Sequence, residues 1–282
     1  MIMKKSNKRQ ISVRTVVILF GIILLIIGCA TSPLTGKRTM AFISNNLLFP
    51  TAFAQYDEFL QESNVVTDTA EAEMVERVGK RLSTAAQKWL ESEGHANYLN
   101  DYRWEYKLVD EDEINAWCLP GGKIVVYTGI LPVTKTEEGL AVVLGHEISH
   151  ALLNHGQQRV SAGLLQQLGA LGIMLGSQAA GLSEEAQAAL IIAYTLGSQL
   201  GGTLPFSRSN ESEADHYGLL LMAIAGYNPD AAVPFWERMS AQGGGGTPQF
   251  LSTHPSHSTR IRQLAGWNSE AKMKAAGFGV KF

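Results

Sequence analysis

The chain is poor in cysteine, and that scarcity narrows its chemistry first. Cys29 and Cys118 are the two cysteines among 282 residues, too few for a disulfide framework or a cysteine-rich structural zinc site. Any metal must therefore be held by histidines and carboxylates. Charge is also scarce, at 17% of residues, and neither sign dominates: 23 Lys and Arg face 26 Asp and Glu, a formal net charge of −3. No basic face large enough to follow a nucleic-acid backbone is visible, so no nucleic-acid partner is expected. What is plentiful is apolar material. At 45% hydrophobic residues the chain can bury the core of one globular domain and is not a disordered one.

Long apolar runs are a further shortage. Residues 1–14 carry Lys4, Lys5, Lys8, Arg9 and Arg14 with no acidic residue, and Val16 to Ile27 follow as an apolar run broken only by Gly21. Twelve residues fall short of the roughly 20 that span a bilayer, so the segment reads as the charged and apolar regions of a secretory signal rather than an uncleaved membrane helix. The run ends Ile26-Ile27-Gly28-Cys29, which resembles a bacterial lipoprotein signal, whose cysteine is lipidated and becomes the mature N-terminus. The expectation is a cleaved signal over 1–28, a lipidated N-terminus and tether over 29–50, and membrane attachment through Cys29. The location expected is the periplasmic side of a bacterial envelope, at the outer membrane. Without residues 1–28 the chain keeps 18 basic and 26 acidic residues, a net charge of −8. Cys118, left without an intrachain partner, reads as a small buried hydrophobe.

Periodicity sets out the rest. Met74, Val78, Leu82, Ala85 and Trp89 recur on one helical face between Asp68 and Leu90. Residues 103–109 and 123–128 read as strands, and Pro120-Gly121-Gly122 turns a hairpin between 114–119 and 123–128. Thr134 and Glu137 have capping-box spacing, opening a helix through His155 that Gly156 can close.

That helix carries His146-Glu147-Ile148-Ser149-His150. Four residues turn a helix by about 400°, so the two imidazoles lie one above the other and can grip one ion. Glu147, about 100° around, can reach a metal-bound water instead. By composition the pattern is expected about 0.01 times by chance in this chain. Two histidines leave a zinc ion under-coordinated, since catalytic sites take three protein ligands and a water. The three-histidine pattern is excluded, because Leu153 and Gly156 stand where Gly and His would be needed. His155 is out of register and about 140° from His150 on a continuous helix, which makes it a packing or capping residue. A carboxylate is the better third ligand. Glu211 and Asp215, four apart on a second helix, face the same way; Glu213 lies about 200° from Glu211 and should face away.

His-Glu-Ile-Ser-His followed by Glu211-x-x-Ala-Asp215, with Asn115-Ala116 and Pro120-Gly121-Gly122 ahead of both, resembles the CAAX-prenyl-endopeptidase and HtpX family of zinc metallopeptidases over roughly residues 50–265. Together with the lipoprotein-like signal, it is similar to the periplasmic BepA- and LoiP-type branch. The resemblance implies a zincin-like gluzincin fold, α+β and mostly helical, with a small sheet whose edge strand faces the cleft. It also implies one Zn2+ per chain on His146, His150 and Glu211, with Asp215 orienting a histidine ligand, as metal-bound imidazoles usually require. A third block, Thr253-His254-Pro255-Ser256-His257-Ser258-Thr259-Arg260, matches the family's His-Pro loop. By resemblance His254 closes the open coordination position or donates to the oxyanion, and Arg260 orients that loop or stabilises developing charge. The peptidase domain is expected over 51–265 and a tail over 266–282.

The activity implied is peptide-bond hydrolysis by a metal-activated water, with Glu147 as general base and an extended substrate paired along 114–119 beside Asn115 and Ala116. Misfolded or stalled envelope proteins are the substrates the resemblance implies, with outer-membrane assembly machinery as a partner. The competing class is a zinc-locked binding or chaperone-like module, against which the intact Glu147 argues. Between Val160 and Phe206 the only charges are Glu184 and Glu185. The expectation there is a buried helix pair, with a cover over the site or a membrane-facing surface as the sharper reading. Gly243 to Gly246 reads as a joint that lets the His254 loop swing.

Overall fold

The structure is a computed structural model that describes residues 29–199, 204–242, 248–254 and 259–282. The expected signal, the Gly243–Gly246 joint and His257 lie outside the described residues, as does the side chain of Cys29.

The described residues start with a small antiparallel hairpin, β1 (Cys29–Thr31) and β2 (Arg38–Met40), inside the stretch read as a tether. Helix α1 (Asn45–Glu62) follows, then β3 (Val65–Val66) and α2 (Ala70–Ser92). The predicted helical face is borne out in α2, which buries Val78, Leu82, Ala85 and Trp89. Thr69 starts it by accepting a hydrogen bond from the Ala72 N–H at 3.1 Å, with Glu71 and Glu73 in the dipole-favoured first turn.

Three more strands, β4 (Glu105–Val109), β5 (Ala116–Leu119) and β6 (Lys123–Tyr127), join β3 in the order β3-β4-β6-β5. Only β4 and β6 run parallel. The Pro120-Gly121-Gly122 turn holds because Gly121 and Gly122 sit at φ 89° and 93°, and a Cβ on either would come within 2.6 Å of the Phe53 or Trp104 ring. The turn leaves β5 on the sheet edge.

After α3 (Leu131–Thr134) comes α4 (Glu137–Leu152), the helix that carries His146 to His150. Its cap is Thr136, whose side chain accepts from the Gly139 N–H at 3.2 Å. The Thr134 capping box expected from the sequence is corrected: Thr134 is buried at the end of α3. The helix also stops earlier than expected. Asn154 takes a left-handed conformation (φ 59°), and His155 opens a new helix, α5 (His155–Ala179), instead of closing α4.

Helix α7 (Leu204–Ile224) crosses α4 almost backbone to backbone. A Cβ on Gly218 would lie 2.8 Å from the His146 nitrogen, and one on Gly145 the same distance from the Gly218 carbonyl. Two glycines at the crossing thus set how near the HExxH turn comes to Glu211. Helices α8 (Ala232–Ser240), α9 (Gln249–Thr253) and α10 (Arg260–Ala276) complete the core with Phe235, Trp236, Phe250 and Leu264. The domain boundary expected at 265 falls inside α10, which packs along α7.

The apolar segment after Val160 is not a buried pair. Helices α5 and α6 (Glu184–Ser198) pack on each other, with Gln166 donating to the Ser198 hydroxyl at 2.8 Å. Leu164, Leu168, Leu171 and Leu175 on α5 and Leu190, Ile192 and Leu196 on α6 remain exposed. Among the described residues α5 is the one helix long and apolar enough to cross a membrane by length and composition, and little of that stretch is buried. Its first two turns are anchored, through buried His155, Gln157, Gln158 and Ser161.

Candidate metal centre

Helix spacing brings His146 and His150 together as predicted, with Nε2 atoms 3.0 Å apart. The α4–α7 crossing adds Glu211, whose carboxylate oxygens lie 3.3 Å from His146 Nε2 and 3.4 Å from His150 Nε2. The end of α9 adds His254, with Nδ1 3.1 Å from both His146 Nε2 and Glu211 Oε2. Zinc bonds of about 2.0–2.1 Å place the corners of a tetrahedron roughly 3.3 Å apart. The separations of 3.0–3.4 Å among these side chains match that spacing. Three imidazole nitrogens and a carboxylate also converge on one point, an arrangement that repels itself unless a cation or proton sits among them.

Each ligand has its own support. His146 Nδ1 lies 2.9 Å from Asp215 Oδ1, and Arg260, fully buried, donates through Nε to the other Asp215 oxygen. Arg260 also donates to Glu211 Oε2 at 3.2 Å and to the His254 carbonyl at 3.5 Å, with its guanidinium 4.0 Å over the Trp236 ring. One cation thus holds Glu211, Asp215 and the His254 backbone in register. Burial by itself would depress His146, but hydrogen bonds to Asp215 and Glu211 carry its pKa up to about 10. Glu211 is held far below the usual carboxylate range, where burial is outweighed by His146 and His254. His150 is pushed well down by burial and by the neighbouring His146 charge.

Glu147 is buried beside the group without being part of it. Burial raises its pKa, and its Oε1 has no hydrogen-bond partner among the described residues, with His254 Nε2 3.4 Å away. An unsatisfied buried carboxylate oxygen facing the ligand group fits a group waiting for a water or substrate proton. The donor set, its spacing and this orphan oxygen all fit a zinc ion. A cavity of about 450 Å³ opens beside it, bounded by Trp117, Leu119 and Pro120 of the sheet edge, by Phe49 of α1 and by Val160 of α5.

A profile of peptidase family M48 matches residues 70–268, a span that contains every one of these ligands. The chain belongs to peptidase family M48. Among relatives of known name, it is 39% identical over 178 residues to "Mitochondrial metalloendopeptidase OMA1" of Schizosaccharomyces pombe, covering 62% of this chain and 50% of that protein. Over 241 residues it is 30% identical to "Metalloendopeptidase OMA1, mitochondrial" of Bos taurus, covering 83% and 45%. It is 33% identical over 175 residues to the "Beta-barrel assembly-enhancing protease" of Escherichia coli (strain K12), covering 59% and 34%. The chain spans about half the length, or less, of these relatives. The comparisons correct the expected location. The relatives 39% and 38% identical to this chain are mitochondrial enzymes by name, which speaks against the bacterial outer membrane expected from the signal.

Among M48-type features read from the sequence, His146, His150, Glu211, His254, Glu147, Asp215 and Arg260 are brought together. Asn115 and Ala116 are not in the cavity wall. The Asn115 side chain turns back to the Ala116 N–H at 2.9 Å, its carbonyl accepts from the Tyr127 N–H, and Ala116 is fully buried in the core. Trp117 to Pro120 line the cavity in their place. Half-buried Cys118 is free, its thiol pushed up by burial and by nearby Glu147. Sequence reasoning missed His155 and Glu213 as neighbours of the metal ligands. His155 Nδ1 lies 2.9 Å from His150 Nδ1, and His155 Nε2 lies 3.2 Å from Glu213 Oε2.

Proposed function

We propose that the chain is a zinc-dependent endopeptidase in which His146, His150 and Glu211 hold the metal and Glu147 is the general base. The observation that carries this reading is the orphan Glu147 oxygen buried beside a four-corner His–Glu group. Bound there, zinc would supply Lewis acidity and bring the pKa of water down to near neutrality. Glu147 takes the proton of the attacking water and returns it to the leaving amine. Asp215 and Arg260 position His146 and Glu211. His254 would take a fourth position on a bound ion, and would then have to give way before a peptide carbonyl could enter. An extended segment pairs with the β5 edge at Trp117 to Leu119, beside the cavity, with Asn115 and Ala116 acting through the strand rather than by side-chain contact.

Unfolded or misassembled proteins are the substrate class, supported by an open strand edge that recognises backbone rather than sequence. A bacterial relative named for enhancing β-barrel assembly supports a protein-quality-control reading. The test is digestion of unfolded casein by the full chain and by Glu147→Gln, with bound zinc measured in both. Cleavage by the parent alone, at equal zinc, is expected. Equal cleavage by both would remove Glu147 from the mechanism, and full zinc without cleavage in either would favour the zinc-locked binding module.

A further inference from the structure

The His146 ligand has a carboxylate behind it, whereas the His150 ligand has a histidine. His155 is buried, its Nδ1 is 2.9 Å from His150 Nδ1, and its Nε2 faces Glu213 Oε2 at 3.2 Å. Glu213 in turn accepts from Lys37 Nζ at 2.7 Å through its other oxygen. Lys37 stands just before β2, and the chain after that strand is fastened to the same helix, since the Phe42 N–H donates to the Ser161 hydroxyl at 3.2 Å. We infer that His155 is a positioning residue for the metal ligand His150, held in its working orientation by Glu213 and, through Glu213, by Lys37 of the N-terminal hairpin.

Proton counting fixes the direction of the chain. Nε2 of His150 faces the metal corner and must offer its lone pair there, so its one proton is on Nδ1. That proton can only be donated to an unprotonated Nδ1 of His155. His155 then carries its proton on Nε2 and donates it to Glu213, which also accepts from Lys37. Every polar group in the series finds a partner, and each ring has one allowed tautomer. Two structural features make the series possible: the left-handed Asn154, which swings His155 back towards His150, and the start of a new helix at His155. The usual outer partner of a metal-bound imidazole is a carboxylate, carbonyl or water, and its loss typically weakens metal binding about 10- to 100-fold. A neutral imidazole relaying to a carboxylate serves the same end at one remove.

The inference rests on the zinc reading, and the experiment separates the two. Zinc Kd is measured by competition with a chromophoric chelator for the full chain, His155→Leu, His155→Asn and Glu213→Leu. The unfolding midpoint of each metal-free protein is recorded alongside. An asparagine oxygen can replace Nδ1 as acceptor from His150, whereas leucine cannot. The expected result is a Kd raised about tenfold or more in His155→Leu and in smaller measure in Glu213→Leu. His155→Asn should stay within about threefold of the parent, because the acceptor for His150 is retained. A parent-like Kd in His155→Leu overturns the inference. So does an asparagine variant as weak as the leucine one with metal-free midpoints lowered equally, since that pattern belongs to packing. A parent that takes up no zinc overturns the zinc reading, and this inference with it.

Discussion

The two histidines of one helical turn are supported in opposite ways. Behind His146 stand a buried carboxylate and a buried arginine, Asp215 and Arg260, both from the core helices α7 and α10. Behind His150 stand His155, Glu213 and Lys37, a series that ends on an exposed lysine near the N-terminal hairpin. The first arm is part of the core and cannot move without unpacking it. The second runs outward to an exposed lysine, so the metal site is set in the core on one side and tied to the surface on the other. In proteins generally, a removed partner of a buried ion pair is far more costly than a removed surface charge.

The contrast can be broken from its strong side first. Asp215→Ala leaves buried Arg260 with Glu211 as its remaining carboxylate partner and should lower the unfolding free energy of the metal-free chain by up to about 3–5 kcal/mol, read from denaturant titration. A loss near zero would mean the core arm is not what it looks like. Gly218→Ala should follow, at about 1–3 kcal/mol, because its methyl would meet the His146 backbone nitrogen at 2.8 Å. Zinc affinity should fall with it, since the helices must part where the ligands meet. His254→Ala leaves both arms intact and opens the fourth corner, so casein cleavage should rise severalfold with zinc retained; a fall would make His254 a helper of the reaction instead. Lys37→Ala should cost less than about 1 kcal/mol, as exposed pairs do, and should raise the zinc Kd by less than Glu213→Leu does.

The smallest effect is set by pH. Glu137, paired with Arg77 at the start of α4, is held below the usual carboxylate range by that pair. A depressed carboxylate adds stability above its unfolded pKa of about 4.3, and that contribution is lost as pH falls through the lower folded value. Acid titration of Glu137→Gln should therefore be flatter than that of the parent below about pH 4.3.

How much of this was legible depends on distance along the chain. The HExxH geometry needs one helical turn, and the Pro120-Gly121-Gly122 hairpin a few residues, so both could be read from spacing. Glu211 and Asp215 needed the resemblance as well, because nothing local says which of two carboxylates faces a helix some 60 positions earlier. The close crossing at Gly145 and Gly218 left no readable trace, since each glycine has a meaning only beside the other. His155 was misjudged for a definable reason: the 140° separation from His150 assumes one continuous helix, and the chain breaks at Asn154. An asparagine directly after the periodic stretch is itself a stop signal, and it was the available clue. The exposed leucines of α5 and α6 were expected inside because composition reports apolarity, not whether a third layer exists to cover it.

The central claim is that four side chains from three separated segments make one zinc site. Native mass spectrometry of the full chain, beside His146→Ala and Glu211→Ala, tests it most directly. The account predicts one zinc per parent chain and none, at matched free zinc, in either variant. A zinc ion retained by both variants would contradict it.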